Sequence, residues 1–428
     1  MTNPNASDND HKKLKVLIVG SGLAGLTAAR VLRFHHAVTV YERGGASVAT
    51  GGQGIIIGSN GTKILNPLGY EGEGARVGGV PIRRFRIFDC RNSMIEVADM
   101  DLRARYGTET LGQKRSDFRD ELVRLATAPS GSWGLRGSRL GSSMGMRWWG
   151  WSRRGVVVFS DGSKVKGDVV IVADGIHSRL RSTIVGEGCP QAQKTGLSAY
   201  RVAVSVEDAN RALGDLPPPV WWTPAMYQNA SYFLNGPEGS RRFITVYPLR
   251  RHTYFNFSCI METRVWSKST TESWHAEGDR DKMLEYFGWD EGVETDSQIR
   301  AWDLQDLEPL PTWTRGRAIL IGDAAHAMTP MQGQGANLSI EDAEALRLLN
   351  NEQDGTAPVS HEDVPAILRR IESVRRPRAA GALARVRDTQ GRLTGHEKFH
   401  DKTDFFMGYN GIYAALAEME ANEQGTER

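Results

Sequence analysis

The chain has 428 residues, 40% of them hydrophobic and 24% charged, with a formal net charge of +2 at pH 7. That length exceeds one ordinary core and predicts two or three domains, and the composition excludes a disordered chain. A near-neutral balance gives no footing for a nucleic-acid partner, which needs a basic stripe, but it leaves room for a mildly cationic cleft.

The polar segment 1–13 is expected to be a disordered tail. It lacks the apolar run of a secretory signal, and no later run approaches the roughly 20 residues of a membrane span. Cys90, Cys189 and Cys259 are widely separated and form no CxxC pair, so neither a disulfide framework nor a metal site is expected. These features predict a soluble, cytoplasmic protein.

In chain order, Leu14–Gly20 reads as a buried strand, Ala24–Phe34 as a helix and Val38–Tyr41 as a second strand. This begins a βαβ unit and implies a parallel sheet covered by helices. Arg84–Asp89 and Met94–Ala98 read as a strand pair joined at Arg91–Ser93, and Phe118–Ala126 as a helix. Val156–Phe159 and Val169–Ala173 are further strands. Leu197–Val206, Ser231–Leu234, Arg242–Tyr247 and Tyr254–Ile260 are strand-like with little helix between them, which predicts an antiparallel sheet. A helix is expected over Lys282–Phe287, a buried parallel strand at Ala318–Ile321, and helices over Leu338–Leu349 and Val364–Val386.

The expected fold is therefore α/β, a Rossmann-like parallel-sheet domain with an inserted antiparallel-sheet domain and C-terminal helices. Residues 14–80, 101–190 and 301–350 are assigned to the discontinuous first domain, and 81–100 and 191–300 to the inserted one. A helical region over 351–418 and a polar tail over 419–428 complete the division.

Three motifs carry chemistry. Gly20-Ser21-Gly22-Leu23-Ala24-Gly25 is a GxGxxG placed between strand and helix, with Glu42 about one βα unit later. Such a turn admits a pyrophosphate at a helix N-terminus, and the acidic residue binds ribose hydroxyls, so an adenine dinucleotide is expected. Asp174-Gly175-Ile176-His177-Ser178-Arg179-Leu180-Arg181 is a second strand ending in an acidic-glycine turn. Gly322-Asp323-Ala324-Ala325-His326 ends a third strand and runs through Pro330 to Gly333-Gln334-Gly335-Ala336-Asn337 and a helix. An Asp at a strand end accepts bonds from ribityl hydroxyls, and a Gly-rich helix start offers N–H groups to a flavin ring, so this motif favours FAD over NAD.

With these three fingerprints in this order, the sequence resembles the single-component (class A) flavoprotein monooxygenases of the p-hydroxybenzoate hydroxylase fold, on the salicylate-hydroxylase-like side. The resemblance spans roughly Leu14 to Leu349 and includes Arg115 in its R-x-x-F/L segment, Tyr200-Arg201 and Tyr247-Pro248. It implies non-covalent FAD held by Gly20, Gly22, Leu23, Ala24, Gly25, Glu42, Arg43 and Arg115. Asp323 would meet the ribityl chain, and Gly335, Ala336 and Asn337 the flavin ring. Pro330 would sit at the reactive edge, while Asp174 would serve both FAD and the approaching nicotinamide. NADPH or NADH would be the reductant, and one atom of O2, activated at the flavin C4a, would enter a small aromatic or polyunsaturated substrate. A monomer or homodimer is expected. The alternatives are an epoxidase acting on an alkene or indole, a halogenase, and a non-catalytic flavin scaffold; the last two lack, respectively, a Trp-x-Trp-x-Ile-Pro segment and damaged motifs.

Arg201 and Tyr247 are the expected substrate contacts. A mid-strand cation is costly to bury without an anion, although one step of register turns it to water, leaving Arg83, Arg84 and Arg86 as substitutes. His326 and His177 are read as packing or hydrogen-bonding residues rather than bases. The run Arg369–Arg378 reads as a solvated helix face. Two segments depart from the family, the glycine-rich 44–52 and the aromatic 144–151.

Overall fold

A computed structural model describes residues 13–44, 53–99, 101–128, 141–144, 148–152, 155–218, 222, 229–237, 239–263, 300–350, 359–388 and 403–426. The expected helix at Lys282–Phe287, nearly all of the glycine-rich loop and the N-terminal tail lie outside these residues.

One sheet has six strands in the order Thr314–Arg315, Ala318–Leu320, Val169–Val172, Lys15–Val19, Ala37–Glu42 and Gly141–Met144. All its pairings are parallel except the first. Val169–Val172 is wholly buried, as a central parallel strand covered on both faces requires. The helices Leu23–Leu32 and Gly335–Ala345 pack together against it and bury Leu26, Ala28, Ala29 and Ile340.

The second sheet has seven strands: Arg300–Asp306, Gln193–Ser205, Tyr254–Glu262, Phe243–Leu249, Ala230–Asn235, Arg84–Phe88 and Met94–Asp99. Only Ala230–Asn235 and Arg84–Phe88 pair in parallel. Residues alternate between two cores. Tyr232, Val246, Phe255, Cys259 and Met261 fill the outer one, while Leu197, Ala199, Ile260 and Leu304 face Met331 and Met328 below. A small sheet of Gly54–Ile57, Leu111–Lys114 and Val80–Pro81 lies between the two.

The fold class is as the motifs imply, and three details differ. Arg300–Asp306 is the edge strand of the seven-stranded sheet, so the chain returns to the parallel sheet after Asp306 rather than at residue 301. The terminal segment is ordered: a helix spans Ile412–Thr426, through the stretch expected as a tail, because Ile412 and Leu416 are buried. The arginine run is not a solvated face either. Arg375 is 0% exposed and bonds Glu341 and Asp342 at 2.7 and 2.9 Å, while Arg378 bonds Glu341 at 2.5 Å. Carboxylates distant in sequence make these cations internal, and composition alone carries no sign of that. Arg369 does face solvent.

Candidate active site

The GxGxxG turn is built by exclusion. Gly20 has φ +105°, and a Cβ there would lie 2.3 Å from the Ala173 carbonyl oxygen; one on Gly25 would lie 2.0 Å from that of Gly20. Both positions are closed by backbone, which lets strand, turn and helix pack this tightly. Gly22 is the opposite case, with no atom within 4 Å of the equivalent point. It is the N-cap of Leu23–Leu32, with no side chain capping the helix, so the first N–H groups face open space. Glu42 lies at the end of its strand and accepts bonds from Ser21 N (2.8 Å), Ser21 Oγ (2.9 Å) and Gly44 N (2.8 Å). Burial favours its neutral form, but these donors and Arg43 outweigh it and hold the carboxyl below its ordinary range.

The other two motifs are clamped together. Arg181, 1% exposed, donates through Nε to the Ala324 carbonyl (2.7 Å) and through Nη2 to those of Ile176 (2.7 Å) and Asp323 (3.2 Å). One guanidinium thus spans the turn after Asp174 and the turn at Asp323. Burial lowers its pKa despite the nearby Asp174, Cys189 and Asp323. Asp174 Oδ2 accepts a bond from Arg179 N at 3.1 Å. Gly322 N donates to Asp342 Oδ2 (2.9 Å), which also meets His326 Nε2 at 2.5 Å. His326 is buried and held by Asp342, so it fixes this turn and faces no open space, in keeping with a packing role.

A cavity of about 440 Å³ runs between the two sheets. Gly22, Leu23, Ala24, Arg115, Asp323 and Pro330 line it, as do Gly335, Ala336, Arg201 and Tyr247. Ten expected site residues, scattered over more than 300 positions, therefore converge on one space. Gly20, Gly25, Glu42, Arg43 and Asp174 are not among its lining residues. Asn337 is not among the cavity-lining residues. Its Oδ1 accepts from Gly58 N (2.9 Å) and its Nδ2 donates to the Gly333 carbonyl (3.0 Å), so the side chain braces two loops.

Arg201 shares the cavity face of its strand with Leu197 and Ala199. Its Nε donates to Ser258 Oγ at 3.1 Å on the neighbouring strand, and its guanidinium sits 5.1 Å from the Trp302 ring centre. Among the described residues no carboxylate pairs with it. Burial lowers its pKa, Tyr247 counters that, and Arg115 adds to it. Tyr247 is 7% exposed, and burial pushes its phenol above the usual range, so it stays neutral. Arg83, a named substitute, is engaged with Glu109 at 2.6 Å. Sequence reasoning missed Trp302, Ser258, Thr245, Ser231, Phe233 and Phe85 on the same wall. Strand alternation marks them as one set, but it does not say which face meets the cavity.

An FAD fits what is present. Gly22 leaves room for a pyrophosphate beside uncapped N–H groups, and the cavity continues unbroken to a second uncapped helix start at Gly335. At Gly335 a Cβ would meet nothing closer than 3.9 Å.

The family described as FAD binding domain matches residues 154–385. A 3-amino-4-hydroxybenzoate 2-monooxygenase of Streptomyces platensis is 32% identical over 401 residues, covering 90% of this chain and 88% of its own. A 6-hydroxynicotinate 3-monooxygenase of Bordetella bronchiseptica is 28% identical over 415 residues, covering 94% and 96%. Among solved structures, CtdE with FAD and a substrate aligns with a TM-score of 0.75 at 23% identity, covering 97% of this chain and 100% of that one. A salicylate hydroxylase substrate complex aligns at 0.71 and 23%, covering 95% and 98%. The structures speak for the fold, and the sequence relatives for the chemistry. The chain belongs to the FAD-binding, single-component flavoprotein monooxygenases and is an enzyme of the aromatic hydroxylase type.

Proposed function

We propose that this enzyme uses NADH or NADPH and O2 to hydroxylate a small aromatic substrate bearing a negative charge, a phenolic or heteroaromatic acid or its phenolate. The observation that carries this is Arg201, an internal cation on the cavity wall whose only hydrogen bond among the described residues goes to a neutral hydroxyl, Ser258. An internal charge without a counter-ion is costly, and an anionic substrate supplies the missing partner. The names of the sequence relatives support the class, since aminohydroxybenzoate and hydroxynicotinate are aromatic acids.

When bound, the flavin supplies the redox chemistry, accepting a hydride and activating O2. The chain does the rest. Gly22 and the helix start behind it would hold the pyrophosphate, Asp323 the ribityl hydroxyls, and the N–H groups at Gly335 and Ala336 the pyrimidine edge, and Pro330 would stand beside the reactive face. Asp174 assists the approach of the nicotinamide. Arg201 orients the substrate and lowers the pKa of a phenol, favouring the electron-rich phenolate. Met328, Met331 and Ile260 keep water out. The same reading puts a monomer or homodimer in the cytoplasm, where reduced nicotinamide is supplied.

The test is a panel of aromatic acids, including 3-amino-4-hydroxybenzoate, 6-hydroxynicotinate and salicylate, given to the FAD-loaded protein with NADH or NADPH. At least one anion should stimulate nicotinamide oxidation and O2 uptake and gain one oxygen in the product mass. Stimulation by neutral alkenes alone would replace this reading with the epoxidase.

A further inference from the structure

The wall that carries Arg201 has a second polar pole. Ser231 lies in Ala230–Asn235, where Ala230 and Tyr232 turn to the outer core, so Ser231 and Phe233 face the cavity and line it. Ser231 is 0% exposed, and its Oγ meets no hydrogen-bond partner among the described residues. A buried hydroxyl left unsatisfied is costly and uncommon in a folded protein. Ser258, on the same face, already has its partner in Arg201.

The sheet fixes the separation of the two poles. Arg201 is opposite Ser258, Ser258 opposite Thr245, and Thr245 opposite Phe233, with Ser231 two residues further along that last strand. Three strand spacings and two residue steps put the two Cα atoms about 16 Å apart. Both side chains rise from the same face, and Arg201 Nε reaches Ser258 on the strand next towards Ser231. Phe233, on Ser231's own strand, stacks on Phe85, opposite Ser231 on the next strand out, with ring centres 6.2 Å apart at 25°, so the Ser231 end of the wall is aromatic. With hydrogen bonds of about 2.8 Å at each end, a Cα separation of about 16 Å favours two fused rings over one.

We propose that Ser231 is a specificity residue, and that the substrate is a fused bicyclic aromatic anion whose far end carries a hydrogen-bonding group received by Ser231 Oγ. The proposal rests on the reading of Arg201 as the anion site. It assigns a length and a second polar end to the ligand, and monocyclic acids become poor mimics of it.

Matched ligands test this without turnover. The oxidised, FAD-loaded enzyme is titrated with 2-naphthoate and with 6-hydroxy-2-naphthoate, following the flavin difference spectrum. The wild type should bind the hydroxylated compound at least fivefold more tightly. Ser231→Ala should retain its FAD and bind the two within twofold of each other, while Arg201→Ala should weaken both at least tenfold. Salicylate, too short to reach Ser231, should bind wild type and Ser231→Ala alike. Loss of both naphthoates in Arg201→Ala with no preference in wild type would overturn the Ser231 role while leaving the anion site standing. Equal binding in Arg201→Ala and wild type would overturn the anion site and this proposal with it. Should Ser231→Ala fail to fold, the wild-type ratio decides alone: equal affinity for the two naphthoates, or no binding of either, refutes the proposal.

Discussion

Arg375 and Asp342 meet at 2.9 Å inside the protein, where the arginine is 0% and the aspartate 1% exposed, and the same aspartate holds Gly322 of the flavin turn. The helix Val364–Asp388 therefore supports the active site through charge. Arg375→Met should destabilise the enzyme by about 3–5 kcal/mol, because it strands Glu341 and Asp342 as uncompensated buried carboxylates. Arg369→Met, on the exposed part of the same helix, should change stability by less than about 0.5 kcal/mol. Denaturant titration of both variants checks the contrast, and equal losses would refute it.

A second buried carboxyl carries a pH signature. Burial raises Glu344 to about 6, against a bond from Ile412 N (2.9 Å) and the charges of Arg347 and Arg375. Its raised folded-state pKa means that its contribution is full below about 4.5, its ordinary value, and is lost as pH rises through about 6. Glu344→Gln removes the ionisation cost, so it should stabilise the protein by about 2 kcal/mol at pH 8 and by nothing near pH 4. Asp342, held at about 2 by His326 and Arg375 against its burial, works in the opposite sense, losing its contribution only below about pH 4. Thermal melts of wild type and Glu344→Gln across this range give the sign directly.

The glycine turn separates folding from cofactor binding. Gly25→Ala places a Cβ against the Gly20 carbonyl and should lower the melting temperature even without flavin. Gly22→Ala meets no protein atom, so the apoprotein should melt as wild type does while FAD affinity falls at least tenfold. Parallel melts of apo-variants and FAD titrations test the pair; an intact FAD affinity in Gly22→Ala would contradict the assignment.

The three motifs were legible because each depends on local backbone chemistry. Gly20 is required by its φ of +105° and Gly25 by a contact within the turn, and Asp323 by its place at a strand end. What the sequence hid was long-range. Nothing near Arg375 announces Glu341, and nothing near Asn337 announces that Gly58 N will take its side-chain oxygen. On the substrate sheet, the alternation that groups Arg201 with Ser258 and Thr245 becomes informative only once one face is known to meet the flavin domain.

Arg201 is the sharpest test of substrate charge. Its facing is settled by Ser258 and Trp302, and its loss should cost about 2–4 kcal/mol in kcat/KM for an anionic aromatic substrate. FAD content should be unchanged. Arg201→Lys should recover only part of the loss, because an ammonium cannot reproduce the planar guanidinium contact. A change below about threefold, under 1 kcal/mol, excludes the role.

The central claim is that this enzyme transfers one atom of O2 to an aromatic ring. The most direct measurement is mass spectrometry of the product formed from an accepted aromatic acid under isotopically heavy O2, with NADH or NADPH as reductant. The account predicts that one heavy oxygen enters the ring of each product molecule and that water contributes none. Product oxygen drawn from water, or nicotinamide oxidation that yields only hydrogen peroxide with every aromatic acid tried, would contradict it.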